Sequence, residues 1–419
     1  MKKIISAILA LVLAAALSGC EASKENDSSS GSESTNNSES TSTDNSGSTG
    51  ESVSSVTIDS DYVIKNLNLE NAKIIENKPE SEKWEKLTYT TPGINKQSAD
   101  RLIKMAGAYG VNISKDDVKL TLRGESDPET GDRYNVPFSN YDKYPTDVSY
   151  EDYPFETAMF HSDDFFIEIQ YPTGGCVELD NRKNVNSIAN GNADYSAPWR
   201  PSFKSIEREE FTEYDENRTC VLNGKTVKIA DALKYAEKYA SENDVLFPKY
   251  FSAASVMEGT FTYENGNQSI LFKLKFNYDG VPIEGFGIYS LEDENGKSYG
   301  VRSIHAECAM LTENTLDWIW FPAIDGTTEF THEDCEIAIS REDACQIVSK
   351  KLSQEYMFDV KEIQLMYVPT VIDPENGTFH LEPTWRFTFD KIDAADYGSN
   401  TLVYVSAVDG YFQMAARIE

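Results

Sequence analysis

The sequence predicts an α+β protein of tandem modules, each a helix packed on a small antiparallel sheet, behind a disordered N-terminal tether. Three observations carry that expectation. Apolar residues recur at helical spacing ahead of strand-like runs, once near Ile229 and again near Ala344. Five Asn-Gly pairs, at Asn190, Asn223, Asn265, Asn295 and Asn376, punctuate the chain. This dipeptide suits the type I′ hairpin turn, whose two central residues need positive φ. Near residue 61 the composition changes from Ser/Thr-rich to rich in Tyr, Phe and Trp. A chain of 419 residues has room for two or three domains.

Residues 1–19 read as an export signal. Lys2 and Lys3 make a positive start, and Ile4 to Leu17 make an apolar run too short to span a bilayer well. The run ends in Leu17-Ser18-Gly19-Cys20, which resembles the lipobox of bacterial lipoproteins. The resemblance implies cleavage between Gly19 and Cys20. It also implies a thioether-linked diacylglycerol on Cys20, which becomes the mature N-terminus. Two acyl chains hold a protein on a membrane stably where one does not.

Residues 20–60 are expected to be a disordered tether. Of the forty residues 21–60, twenty are Ser or Thr, and only Ala22, Val53, Val56 and Ile58 are apolar. Such a segment buries too little apolar surface to offset its chain entropy. A flexible chain of this length has a root-mean-square span of roughly 35 Å and a stretched limit of about 140 Å.

Residues 61–215 are expected to be an N-terminal α+β region, with a third copy of the repeat left open. Ala99, Leu102, Ile103 and Ala106 make an apolar stripe, and Gly110 suits a C-cap. Strand-like runs follow at Val118–Leu122 and Phe165–Tyr171. Between them Tyr134, Tyr141, Tyr144, Tyr150 and Tyr153 alternate with aspartates. Tyrosine gives rigid contact area with a polar tip, so these five are the candidate partner surface. The competing reading is a long loop whose rings pack back on the body.

Residues 216–330 are expected to be a first module. Ile229, Ala232, Leu233, Ala236 and Ala240 share one helix face. Hairpins are expected around Asn223-Gly224 and around Asn265-Gly266. Trp318, Trp320 and Phe321 form the densest aromatic knot, expected to pack between the two repeats.

Residues 331–419 are expected to be a second module. Ser340 and Asp343 make a capping pattern ahead of Ala344, Ile347, Val348 and Leu352. A hairpin follows around Asn376-Gly377, with Trp385 in its second strand expected in the core. Further strands lie at Thr401–Gly410 and Tyr411–Ile418. The helix Arg341-Glu-Asp-Ala-Cys-Gln-Ile-Val and the runs Leu365-Met-Tyr-Val-Pro369, Glu382-Pro-Thr-Trp-Arg-Phe387 and Tyr404-Val-Ser-Ala-Val-Asp-Gly410 resemble PepSY-like and YycI-type extracytoplasmic regulatory modules of Gram-positive bacteria. Ser406 and Asp409 depart from that group's strand ending. The resemblance implies binding or modulation of another protein rather than catalysis. The chain as a whole is similar to uncharacterised clostridial-type lipoproteins.

Charge narrows the partners. Lys and Arg total 38 against 70 Asp and Glu, a formal charge of −32. Nucleic-acid binding needs clustered Lys and Arg, so no nucleic-acid partner is expected. Besides Cys20 there are five cysteines, Cys176, Cys220, Cys308, Cys335 and Cys345, without a CxxC pair. An odd number leaves at least one thiol outside intramolecular disulfides, and most are expected free, with Cys345 on the apolar face of its helix. Gly296-Lys-Ser298-Tyr-Gly300 matches G-x-S-x-G, but a nucleophile elbow needs a strand, a strained turn and a helix, and no helix pattern follows. His161, His305, His332 and His380 are scattered, with His380 expected to face solvent. No EF-hand spacing supports calcium, and no metal or cofactor is expected.

The expected function is therefore a membrane-anchored extracytoplasmic lipoprotein, acting as a non-catalytic binding or regulatory module on an envelope protein or ligand. The alternative is a solute-binding lipoprotein that delivers a small ligand to a transporter. An envelope hydrolase is a third reading, and would need a deep cleft with converging acids.

Overall fold

The computed structural model describes residues 63–90, 94–126, 133–145, 154–170, 176–184, 207–210, 217–263, 265–285, 288–292, 298–302, 304–321, 324–373, 378–389 and 401–416. All of them fall within one compact unit. The signal, the lipobox and the tether lie outside the described residues.

The first part of the chain gives β1 (Leu67–Asn68), β2 (Lys73–Glu76), β3 (Trp84–Thr90), α1 (Ser98–Ala108), β4 (Lys119–Ser126), β5 (Arg133–Pro137), β6 (Phe155–His161), β7 (Phe166–Gln170) and β8 (Cys176–Asp180). The middle gives β9 (Glu207–Glu210), β10 (Thr219–Leu222), β11 (Lys225–Lys228), α2 (Ile229–Glu242), β12 (Phe251–Thr262), β13 (Gln268–Tyr278), β14 (Val281–Pro282), β15 (Ile288–Glu292), β16 (Ser298–Arg302), β17 (His305–Met310) and β18 (Trp318–Phe321). The last part gives β19 (Thr331–Cys335), α3 (Arg341–Lys351), β20 (Phe358–Asp373), β21 (Thr378–Phe389), β22 (Thr401–Ser406) and β23 (Phe412–Ala416).

Local signals explain these elements. Ser340 caps α3: its hydroxyl accepts the Asp343 N–H at 3.1 Å, and the Asp343 carboxylate accepts the Ser340 N–H at 3.3 Å. After α1, Gly110 takes φ +73° and the Val111 N–H returns to the Ala106 carbonyl, a left-handed helix stop. Asn223 and Gly224 both have positive φ and close the β10–β11 hairpin in register. The hairpins β12–β13 and β20–β21 form as expected.

The expected fold class is overturned. The described residues are mostly strand, in two large sheets, and not small sheets each under its own helix. The first sheet has eleven strands in the order β5-β4-β6-β7-β8-β18-β17-β13-β12-β9, with β14 beside β13. It fuses the strands of segments 61–215 and 216–330 through antiparallel pairing of β8 with β18. Helices α1 and α2 bury their apolar stripes, including Leu102, Met105, Ile229 and Ala236, on one face of it. The second sheet has eight strands. β20, β21, β22 and β23 form a meander, to which β1 and β2 add in parallel at β20 and β3 adds at β21, with β19 outside β3. Its core holds Trp385, Phe387, Val403 and Val405 against Ile347 and Val348 of α3. The physical reason is the edge of each meander. A strand left unpaired presents a row of open N–H and C=O groups, and β8 closes β18 as β18 closes β8.

The N-terminal segment 61–215 is therefore divided between the two sheets. The Trp318-Ile-Trp-Phe321 knot also sits elsewhere than expected. It is a central strand of the first sheet, paired with β8 and β17, rather than packing between that sheet and the second.

The two sheets meet where the chain leaves β13. Asp279 and Gly280 turn with φ +49° and +76° into β14. Ile283 then bridges Tyr367 of β20, and the Glu284 N–H donates to the Tyr367 carbonyl at 2.8 Å. Glu284 is fully buried, and its carboxylate accepts the Tyr404 hydroxyl at 3.0 Å and Arg386 Nη1 at 3.4 Å. Arg386 Nη2 also donates to Glu362 at 2.8 Å and Gln364 at 2.7 Å.

Candidate binding face

Alternation assigns the two faces of the eleven-stranded sheet. Val177 and Leu179 of β8, Ile167 and Ile169 of β7 and Ile319 and Phe321 of β18 enter the helix-covered core. The residues between them point the other way. Strand register lines these up in a row: Lys119, Met159, Glu168, Glu178, Trp320, Glu307 and Lys273 are successive cross-strand partners. A second row runs His161, Phe166, Asp180, Trp318, Ala309, Leu271. The face is thus acidic and aromatic at its centre, with lysines at the ends of the first row. Asp180, Trp318, Ala309 and Leu271 of the second row are buried, so the open part is the first row, where Met159, Glu178, Trp320 and Glu307 are half-buried.

Hydrogen bonds fix the side chains on this face. Thr157 donates to the Thr121 hydroxyl at 2.7 Å, and Thr121 donates to Asn135 Oδ1 at 2.7 Å. Gln170 donates to Glu168, and Trp318 Nε1 donates to Glu178 Oε1 at 2.9 Å. Arg182 Nε donates to Asp180 Oδ2 at 3.3 Å, its Nη1 meets His161 Nε2, and its guanidinium lies 4.8 Å from the Phe166 ring centre. Beside the row, Asp317 is fully buried at the start of β18. It accepts the backbone N–H groups of Leu311 and Thr312 at 2.8 and 3.2 Å, and Asn184 Nδ2 at 2.6 Å.

Burial sets the protonation of these acids. Desolvation pushes Asp180 up to about 7, against the opposing pull of Arg182. It pushes Asp317 up to about 6, against the hydrogen bonds from Asn184, Leu311 and Thr312. Glu178 is raised by burial as well. Burial works to raise Glu307 too, but the hydrogen bond and charge of His305, with Lys273, outweigh it and hold that carboxyl low.

Between Thr121, Asn135, Thr157, Met159, Glu168 and Gln170 the face dips into a concavity of 240 Å³. Small-molecule sites usually enclose about 300–1,000 Å³, so this dip suits one side chain or head group of a larger partner. No group of three or more His, Cys, Asp or Glu among the described residues is placed to hold a metal. No helix among them is long and apolar enough to cross a membrane.

The residues singled out from sequence are only partly brought together. Gly19, Cys20, Tyr150 and Tyr153 lie outside the described residues. Tyr134 is exposed on the edge strand β5. Tyr141 is buried, stacked between Phe138 and Phe155 at 5.5 and 5.4 Å, and half-buried Tyr144 meets Phe155 edge-on at 5.0 Å. These two rings are packing residues, and of the described tyrosines in this set only Tyr134 is open to a partner. Cys220, Cys308, Cys335 and Cys345 are free thiols, and the Cys176 side chain lies outside what is described. Ser298 opens strand β16 of a two-stranded ribbon with β15, which is not an elbow. His305 is buried against Trp320, and His380 is half-buried rather than facing solvent. Glu168, Glu178, Asp180 and Arg182 escaped the sequence reading. Their signal is the alternation in Phe166-Ile-Glu-Ile-Gln170 and Val177-Glu-Leu-Asp180, which marks strands with one polar face.

No family model matches the chain, and no curated protein matches it. Among solved structures it is similar to an uncharacterized protein from Eubacterium rectale, at 16% identity and a TM-score of 0.39, over 84% of this chain and 89% of that one.

Proposed function

We propose that this protein is an extracytoplasmic lipoprotein, held to the membrane by acyl chains on Cys20, that binds an envelope protein or ligand without catalysing a reaction. The observation that carries this reading is the Leu17-Ser18-Gly19-Cys20 ending of an apolar run, followed directly by a polar Ser/Thr-rich stretch. The binding half of the reading is supported by the half-buried row Met159, Glu178, Trp320 and Glu307 on one sheet face, beside a concavity of 240 Å³. The test is mass spectrometry of the mature N-terminus together with detergent phase partitioning. Wild-type protein is expected to begin at a diacylglyceryl-modified Cys20 and to enter the detergent phase, while Cys20→Ala is expected in the aqueous phase. An uncleaved Gly19–Cys20 bond, or partitioning indifferent to the substitution, refutes it.

A further inference from the structure

We propose that the surface made by Val63, Tyr356 and Met357 rests on the phospholipid bilayer, at the point where the tether joins the folded unit. This rests on the reading of Cys20 as a lipid anchor and deepens it. Eight large hydrophobic residues are exposed among the described residues, and these three are 66%, 40% and 61% exposed. Of the other five, Ile74, Tyr134, Val256 and Ile372 sit on four different strands and Tyr250 in the turn before β12.

Backbone pairing sets side by side the two distant segments that carry these residues. β1 runs parallel to β20, with Leu67 opposite Phe358, and the Phe358 N–H donates to the Asn66 carbonyl at 2.9 Å. The buried Asn66 amide donates to the carbonyls of Ser349, Leu352 and Ser353 at 3.0, 3.5 and 3.1 Å. Residues 63–66 are thereby laid along the connection from α3 to β20, which carries Tyr356 and Met357. Phe358 goes inward to the core, so Met357 beside it goes outward.

The composition of this surface fits a lipid interface. Tyrosine places an apolar ring and a polar tip at head-group depth. Lys65 and Lys351 are exposed in the same two segments, and a lysine stem lies along apolar surface with its ammonium group in water. Glu355 and Asp359, also exposed in these segments, balance Lys65 and Lys351, so apolar contact carries the docking.

Geometry supplies the affinity. Residues 21–62 separate Cys20 from Val63. On the tether reading of that Ser/Thr-rich stretch, a linker of this length gives an effective concentration in the millimolar range. A contact too weak to hold a free protein on a membrane is then well populated.

The test is amide hydrogen exchange on the full chain, with and without phosphatidylcholine–phosphatidylglycerol vesicles at millimolar lipid. Exchange at residues 64–67 and 354–358 is expected to slow by about threefold or more. Met357→Glu and Tyr356→Ser, at exposed positions that leave the core intact, are expected to abolish the slowing. No slowing, slowing that survives both substitutions, or slowing that appears without lipid as protein concentration rises (a second copy covering the patch) overturns the proposal. Mass spectrometry of Cys20 is read separately. An unmodified Cys20 removes the anchoring reading, while the exchange result still decides the docking, because bulk lipid then stands in for the tether.

Discussion

Arg386→Met tests how strongly the two sheets are bound at Glu284. Arg386 and Glu284 are buried, 3.4 Å apart, and the carboxylate's other partner includes the Tyr404 hydroxyl. At an effective dielectric near 20, unit charges at that distance attract by about 5 kcal/mol. Removing one member of a buried pair strands the other, which costs about 3–5 kcal/mol in comparable cases. The loss also frees Glu362 and Gln364 of their shared donor, but Glu362 is partly exposed and water compensates it. The expected change is therefore about 3–5 kcal/mol in urea unfolding at pH 7, followed by circular dichroism, with an unchanged m-value. Adding Glu284→Gln removes the stranded charge, so the double variant is expected to recover at least about 2 kcal/mol. A loss under about 1 kcal/mol for Arg386→Met, or strict additivity in the double variant, refutes the argument that this pair holds the sheets together.

Three further outcomes are expected. Asp180 and Asp317 have folded-state pKa values of about 7 and 6, above the ordinary 3.8, so their neutral forms suit the fold. Their contribution is complete below about pH 4 and is lost as pH rises through 6 to 7. Asp180→Asn imitates the neutral acid without titrating, so its melting temperature is expected to match wild type near pH 4 and to exceed it increasingly as pH rises to 8; a difference constant with pH refutes this. Gly326→Ala is expected to cost about 2 kcal/mol or more, because its added carbon would lie 2.5 Å from the Asp244 oxygen and the Val245 carbonyl. Equal urea midpoints for the two proteins would show that this loop yields. Burial pushes the Cys345 thiol up to about 12 and Cys220 and Cys335 up to about 11. With Ellman's reagent at pH 8, half-exposed Cys335 is expected to react first of the four described thiols, and Cys220, Cys308 and Cys345 only after unfolding; fast reaction of Cys345 in the native protein contradicts the packing of α3.

Local features were legible in the sequence. The Ser340–Asp343 cap, the stripe from Ile229 to Ala240, the stop at Gly110 and the Asn223-Gly224 hairpin each rest on residues within a few positions of one another. What the sequence hid is long-range pairing. Val177-Glu-Leu-Asp180 shows that β8 has one apolar and one polar face, but nothing in it names β18 as its neighbour. Trp318-Ile-Trp-Phe321 alternates in the same way and equally fails to name β8. The acidic centre of the binding face exists only once those strands are side by side, since Glu178 and Trp320 are 142 positions apart. Tyr141 follows the competing reading, a ring that packs back on the body, because Phe138 and Phe155 give it a core to stack on.

The pairing of β1 and β2 with β20 has a consequence for how the protein is made. Asn68 bonds to Asp359, a partner 291 positions later, so the first strands to leave the ribosome wait for nearly the last. Loop closure on that scale is slow, and contacts so distant reward the chain only at the end. No half of this polypeptide is a finished object: one truncated before residue 358 keeps its opening strands without the ledge they were shaped to lie on.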